Sequence, residues 1–143
     1  MSTESDVQKA SEKFYEALNR MANGEPGSMT DAWSHGAAVT TMHPIGGREV
    51  GWEAVEASFA QVARLASGGR IALEDRKLQV EGDMAYELGV ERGQFTLAGH
   101  DVAVDHRTTN IYRRDAGAWK LVHHHSDLSP AMMDVLTKIQ AEG

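Results

Sequence analysis

The sequence predicts an α+β fold: a cone-shaped, curved antiparallel sheet wrapped around N-terminal helices. Two observations carry this expectation. Apolar residues in the first part of the chain recur every three or four positions, and after Gly68-Gly69 they do not. Beyond that point, long segments rich in β-branched and aromatic residues alternate with short Gly-containing stretches at hairpin spacing. Helices followed by a meander imply helices packed on one face of a single sheet. A long sheet curled over helices leaves a cone with one open end, a usual place for a small-molecule pocket.

Residues 4–22 predict the first helix. Val7, Ala10, Phe14, Leu18 and Met21 form one apolar stripe, Thr3 with Asp6 can cap its start, and Gly24 lies just past its end. A short second helix is predicted from Ser28, turning Met29, Ala32 and Trp33 inward. Residues 37–42 predict a short strand, ended by His43-Pro44 because proline cannot continue a central strand. Ile45-Gly46-Gly47 is then a loop. Residues 51–66 predict a third helix with Trp52, Val55, Phe59, Val62 and Ala66 on one face, ended by Gly68-Gly69. Four strands are predicted at 70–80, 84–97, 101–113 and 118–126. Ser129-Pro130 opens a terminal helix, with proline at a favoured first position and Met132, Leu136 and Ile139 as its apolar residues.

The chain has 143 residues, which fits one domain over 1–143 with a real core. No apolar run approaches the roughly 18 residues of a membrane span, so no membrane partner is expected. The start, Met1-Ser2-Thr3-Glu4-Ser5-Asp6, is too polar and acidic for a signal peptide. Without cysteine there is no disulfide, thiol nucleophile or thiolate metal site, and a cytoplasmic protein is expected. The net charge of −7 repels phosphate backbones, so nucleic acid is not an expected partner.

The last predicted strand carries the run Trp119-Lys120-Leu121-Val122-His123-His124-His125-Ser126-Asp127. Strand alternation points His123 and His125 one way and His124 the other. The three rings cannot easily share one ion, and no strong motif supplies a third ligand, so neither a metal nor another cofactor is expected. Alternation also groups Trp119, Leu121, His123 and His125 on one face and Lys120, Val122, His124 and Ser126 on the other. Periodicity alone leaves open which of these faces the cavity.

The segment Thr109-Asn110-Ile111-Tyr112-Arg113-Arg114-Asp115, followed by Trp119 and Val122-His123-His124-His125-Ser126, resembles the last two strands of the calcium/calmodulin-dependent kinase II association domain. It equally resembles the SnoaL-like proteins, and so does His43-Pro44-Ile45-Gly46-Gly47 leading into Gly51-Trp52. Both belong to the nuclear transport factor 2-like superfamily, with ketosteroid isomerases and scytalone dehydratase. The resemblance implies the same cone over nearly the whole chain. The association domain lines its cavity with arginines, and those positions here are Glu91, Asn110 and Ser126; its helix histidine falls at Val55. None is kept, which argues against an anionic ligand of that kind. The resemblance turns Asn110 and Ser126 inward, and by alternation His106, Thr108, Tyr112, Val122 and His124 with them. His123 and His125 then face outward, toward a partner.

Val102, Val104, His106, Thr108, Asn110 and Tyr112 share one strand face that is apolar at one end and polar at the other, as a pocket wall should be. His106 as an ordinary hydrogen-bonded interior histidine is the alternative. His43 sits beside the Pro-Gly-Gly loop, where it either serves the site or caps the turn. Trp33, Trp52 and Phe59 are lining or core. Glu91 shares a face with Glu87; the pair is either solvated or turned inward. An inward Glu91 would have a raised pKa and act as a base, or would pair with a histidine and set its charge.

Superfamily enzymes use such a cavity for proton abstraction, dehydration or ring closure without a cofactor. The resemblance therefore implies His106, His124 and Glu91 as acid or base, and Asn110 and Tyr112 as donors to a developing oxyanion. Trp33, His43, Trp52, Phe59, Thr108 and Ser126 complete the expected ligand-binding set. The expected function is binding of a small apolar or carbonyl-bearing molecule, with lyase or isomerase chemistry. A non-catalytic ligand-binding or oligomeric assembly domain is the alternative. A homodimer through the outer sheet face is expected, because Trp119, Leu121, His123 and His125 there would be too apolar to leave in water.

Overall fold

A computed structural model describes residues 3–143. Helix α1 (Thr3–Met21) buries the predicted stripe: Val7, Phe14, Leu18 and Met21 are all in the core, while Glu4, Glu12 and Glu16 face solvent. Next come β1 (Thr40–Met42), β2 (Glu49–Val50) and α2 (Trp52–Leu65). Strands β3 (Ala66–Glu81), β4 (Met84–Leu97), β5 (His100–Asp115) and β6 (Ala118–Ser126) form the meander, and α3 (Pro130–Glu142) closes the chain. The Ser129 hydroxyl accepts from the Met132 amide at 3.1 Å and caps α3, with Pro130 in its first turn.

No helix forms at Ser28. The segment is a series of turns, yet it still buries Met29, Ala32 and Trp33. The reason is a competing backbone partner. Leu121 N–H donates to Ala32 and Ser34 N–H donates to the Leu121 carbonyl, both at 3.0 Å, which holds Trp33 extended beside β6. Likewise α2 stops at Leu65, and Ala66 begins β3 by pairing with Leu97. Gly68-Gly69 therefore lies inside the strand. A β-carbon at Gly69 would sit 2.3 Å from that of Ala22, so glycine lets the end of α1 approach the sheet.

The strand order is β2-β1-β6-β5-β4-β3. β1 runs parallel to β6, so the sheet is mixed and not wholly antiparallel. Thr41 lies opposite His124 in that pairing, and Asn110 of β5 lies opposite it on the other side. The histidine run is thus an interior strand. The sheet curves where β3 slips register, after Ser67 and after Glu74.

One further register shift corrects the facing of β6. Ile111 pairs with His123 and Tyr112 with Leu121, leaving Val122 as an extra residue. Trp119 and Leu121 point into the core before this bulge, and His124 and Ser126 do so after it. Trp119 and Leu121 therefore do not share the outer face with His123 and His125, and Val122 is only half-buried at the bulge itself. A bulge moves everything beyond it to the opposite face, and strict alternation cannot show it. No described helix is long and apolar enough to cross a membrane.

Candidate functional site

The inner faces of β4, β5 and β6 carry the polar residues in register. Glu91 lies opposite His106, Glu87 opposite Asn110, Asn110 opposite His124 and Thr108 opposite Ser126. Above them runs α1, whose Tyr15 donates its hydroxyl to Glu91 Oε2 at 2.9 Å. Both glutamates point inward and are buried, while Tyr86, Leu88 and Val90 take the outer face of β4.

Two buried carboxylates organise this layer. Glu87 accepts from the Tyr112 hydroxyl at 2.8 Å and from Asn110 Nδ2 at 3.0 Å, with Arg76 Nη1 3.5 Å from its second oxygen. Asn110 Nδ2 also donates to the Tyr15 hydroxyl at 3.0 Å, and Asn110 Oδ1 lies 2.5 Å from His124 Nδ1. Glu91 accepts from Tyr15 and, at 3.2 Å, from the Ser126 hydroxyl. His124 Nε2 is 3.6 Å from Glu91 Oε2, and His106 Nδ1 is 4.0 Å from Glu91 Oε1.

A cavity of about 80 Å³ opens beside Glu91. Its polar wall is Glu91, His106, His124, Ser126 and His43; Phe59, Met21, Val104, Met132 and Leu136 are among its apolar lining. Five of the sequence-predicted polar residues and Phe59 thus meet at one place. The other predicted residues do not line it. Trp33 is buried between Phe14 and Phe59, and Trp52 stacks on His35 at 4.3 Å near the start of α2. Asn110 and Tyr112 donate to Glu87, behind the wall, and so are committed elsewhere than to an oxyanion. Thr108 hydrogen-bonds Ser126 at 3.3 Å. A wider groove of about 1010 Å³ runs between α1 and β3, but it is open and every charged residue on it is exposed to solvent. The smaller cavity is where buried ionisable groups converge, and it is the candidate site.

Charge in the cavity follows from burial and neighbours. Burial, reinforced by the nearby His124, lowers His43 from 6.5 to about 4. Burial also lowers His124, against the opposing pull of Glu91. Burial disfavours charge on Glu91 too, but His124, His106 and the Tyr15 hydroxyl outweigh it and hold the carboxyl below its ordinary value. Near neutral pH the site therefore holds a carboxylate beside uncharged His43 and His124 rings. Of the two outcomes expected of an inward Glu91, the raised pKa is not found; the carboxyl lies beside His124 and His106, which with the Tyr15 hydroxyl hold it low. His106 is buried, and neither of its ring nitrogens has a hydrogen-bond partner among the described residues. Among the described residues no group of three or more His, Cys, Asp or Glu is placed to hold a metal ion.

Sequence reasoning missed Tyr15, Glu87's anchoring role and the two α3 residues over the cavity. Tyr15 lies next to the α1 stripe and reads as its edge, and nothing local marks α3 as a cover.

A cone of helices on a curved mixed sheet, with a polar inner wall at its mouth, is the architecture of the nuclear transport factor 2-like superfamily. Within it the chain belongs to the SnoaL-like domain family, whose pattern matches residues 7–133. It is similar to a proposed dehydratase of the NTF2-like family from Streptomyces avermitilis, at 26% identity over 90% of this chain and 96% of that one, with a TM-score of 0.77. The S. rosetta CaMKII hub shares the fold at 22% identity, covering 90% of this chain and 98% of that one, with a TM-score of 0.70. A cystatin-like-fold protein from Caulobacter vibrioides does so at 12% identity, over 95% and 96%, with a TM-score of 0.71. No curated protein matches the chain significantly.

Proposed function

We propose that this SnoaL-like protein binds a small, largely apolar molecule in the cavity beside Glu91 and transfers a proton on it without a cofactor, as a lyase or isomerase. The observation that carries the reading is His106: a buried imidazole with neither nitrogen hydrogen-bonded among the described residues, its Nδ1 4.0 Å from the Glu91 carboxylate, on the wall of a largely apolar cavity. An unpaired buried polar group is costly, and a ligand that pairs it recovers that cost. His124 Nε2 and Glu91 supply the base. The similarity to a proposed dehydratase supports the catalytic form of the reading.

A thermal-shift screen of the wild type against small aromatic, carbonyl and carboxylate compounds, beside His106→Ala and His124→Ala, tests it. A ligand at about a hundred times its Kd adds about 2.7 kcal/mol, a shift of several degrees at this size. The expected result is a shift that both variants lose. No shift with any class, with all three proteins folded, turns the reading toward an assembly domain.

That second reading has one observation of its own. Met84, Tyr86 and Leu88 stand exposed in a row on the outer face of β4, which supports a homodimer formed through the sheet. The similarity to a kinase hub points the same way. Pairing on that face leaves the cavity free, so the two readings are compatible, each chain acting as one domain.

A further inference from the structure

We propose that the ligand of this cavity is an uncharged molecule that donates hydrogen bonds, a hydroxyl-bearing ring such as a phenol, and that the cavity rejects carboxylates. This rests on the small-molecule reading above and names its chemical class.

The inference comes from following each hydrogen around the cavity. Glu87 is a buried acceptor, and so it draws the Asn110 amide nitrogen toward itself. Asn110 Oδ1 then faces His124, and a carbonyl oxygen only accepts, so the His124 hydrogen is on Nδ1. In the neutral ring Nε2 is left as a lone pair, turned toward Ser126 and Glu91. His43 resolves in the same way. The Ser58 hydroxyl donates to the Val55 carbonyl at 2.7 Å, so at 2.8 Å from that hydroxyl oxygen His43 Nε2 must be the donor. Its Nδ1 is then an acceptor.

The wall is short of hydrogens. Its acceptors are the two oxygens of Glu91, His124 Nε2 and His43 Nδ1. Against them stand the Tyr15 hydroxyl, already given to Glu91 Oε2, and one Ser126 hydroxyl. That single Ser126 hydrogen lies within 3.2 Å of Glu91 Oε1 and 3.3 Å of His124 Nε2, and can serve only one. The remaining donor is the His106 ring, and neither of its nitrogens reaches one of these acceptors within hydrogen-bond distance. A partner that brings hydrogens corrects the imbalance; one that brings only lone pairs worsens it. Charge gives the same answer. The buried Glu91 carboxylate repels an anion across a dry wall, and no Arg or Lys lines the cavity. A volume of about 80 Å³ favours a small molecule, and the unbranched side chains of Met21 and Met132 allow a single ring to fit by shifting.

The test is binding of four matched probes to the full chain at neutral pH: phenol, anisole, toluene and benzoate. The readouts are thermal shift and the ¹⁵N signals of the histidine rings. Phenol is expected to bind about ten- to a hundredfold tighter than anisole or toluene, moving the His106 and His124 ring signals, while benzoate does not bind. Glu91→Gln removes the charge and adds a donor, so it should narrow the gap between phenol and anisole and admit benzoate. The wild-type ranking decides by itself if that variant fails to fold. Anisole or benzoate binding in the cavity as tightly as phenol overturns the donor class while keeping the small-molecule reading. No binding by any probe overturns both.

Discussion

Asn110 Oδ1 and His124 Nδ1 stand 2.5 Å apart, and this contact decides which nitrogen of His124 faces the cavity. The amide is held from behind by Glu87 and Tyr15, so it cannot turn over without setting its nitrogen against the ring and its oxygen against a carboxylate. Glu87 never touches the cavity. It acts at two removes, through Asn110, as a positioning residue for the base.

Asn110→Leu should therefore free the ring. Its ¹⁵N spectrum is expected to move from a single Nδ1–H form to a mixture, with stability reduced by about 1–3 kcal/mol because Glu87 and Tyr15 each lose a donor. Urea denaturation gives the second number. An unchanged tautomer in a folded variant would show that something other than Asn110 sets it.

Glu87 is fully buried; Asn110 and Tyr112 donate to its Oε1, and Arg76 Nη1 stands 3.5 Å from Oε2 as a charge partner. Glu87→Ala should cost roughly 3–5 kcal/mol, because it strands Tyr112, Asn110 and the inner side of Arg76 together. Glu87→Gln keeps an oxygen for Asn110 and Tyr112 and should cost much less. Equal losses in the two variants would mean that the carboxylate's charge beside Arg76, and not its hydrogen bonds to Asn110 and Tyr112, matters.

The order of helices and hairpins was legible because periodicity and Gly placement are local signals. The inner face of β5 was legible too, since His106, Thr108, Asn110 and Tyr112 keep strict alternation from end to end. β6 was not, because its bulge at Val122 is set by pairing across the hairpin with Ile111 and Tyr112, which alternation along β6 alone does not show. Alternation with the resemblance placed His124 inward but wrongly carried Trp119 and Leu121 to the outside. The turn segment at Ser28 failed for a similar reason: helix periodicity was overridden by backbone pairing with Leu121. Tyr15 could not be found as a Glu91 partner without knowing where α1 crosses the sheet.

Deleting Val122 tests the bulge. It would restore simple alternation with Trp119, Leu121, His124 and Ser126 all still turned inward, so only the local bend of β6 is lost. The expected outcome is a folded chain that melts below Val122→Ala and keeps the His124 ring buried, read by its ¹⁵N signals. A folded deletion variant in which His124 becomes exposed would mean that Val122 is not the extra residue.

Acid should loosen the fold over a defined window. The unfolded His43 ring titrates near 6.5 and the folded one near 4. Between those values the unfolded chain binds more protons, so stability is full above pH 6.5 and falls as pH drops toward 4. His43 alone contributes roughly 3 kcal/mol across the window. His124 is lowered in the same sense and adds to the slope. Glu91, also held low, adds stability that is present above its ordinary value of 4.5 and is lost at still lower pH. Melting curves from pH 7 to 4.5 should show the decline, and His43→Asn, which can still donate to Ser58, should flatten it. A flat profile in the wild type would remove the assignment of His43 as neutral and buried.

The outer sheet face is the remaining question of assembly, and its residues differ from those the sequence suggested. Trp119 and Leu121 are inside, yet Met84, Tyr86 and Leu88 are 42%, 39% and 38% exposed in one row on β4. Tyr86 lies beside Ile111, which in turn lies beside His123, so the apolar surface continues from β4 onto β5 and is bordered by His123 of β6. A two-fold axis normal to that face would bury it against itself. Light scattering at micromolar concentration should give twice the 15.6 kDa chain mass. Tyr86→Glu with Leu88→Lys should return the monomer mass without changing the far-ultraviolet circular dichroism, because both side chains point away from the core. A wild type that runs at 15.6 kDa would leave this surface without an occupant and would weaken the assembly reading. The cavity would be untouched, since Glu91, His106 and His124 all lie on the other side of the same strands.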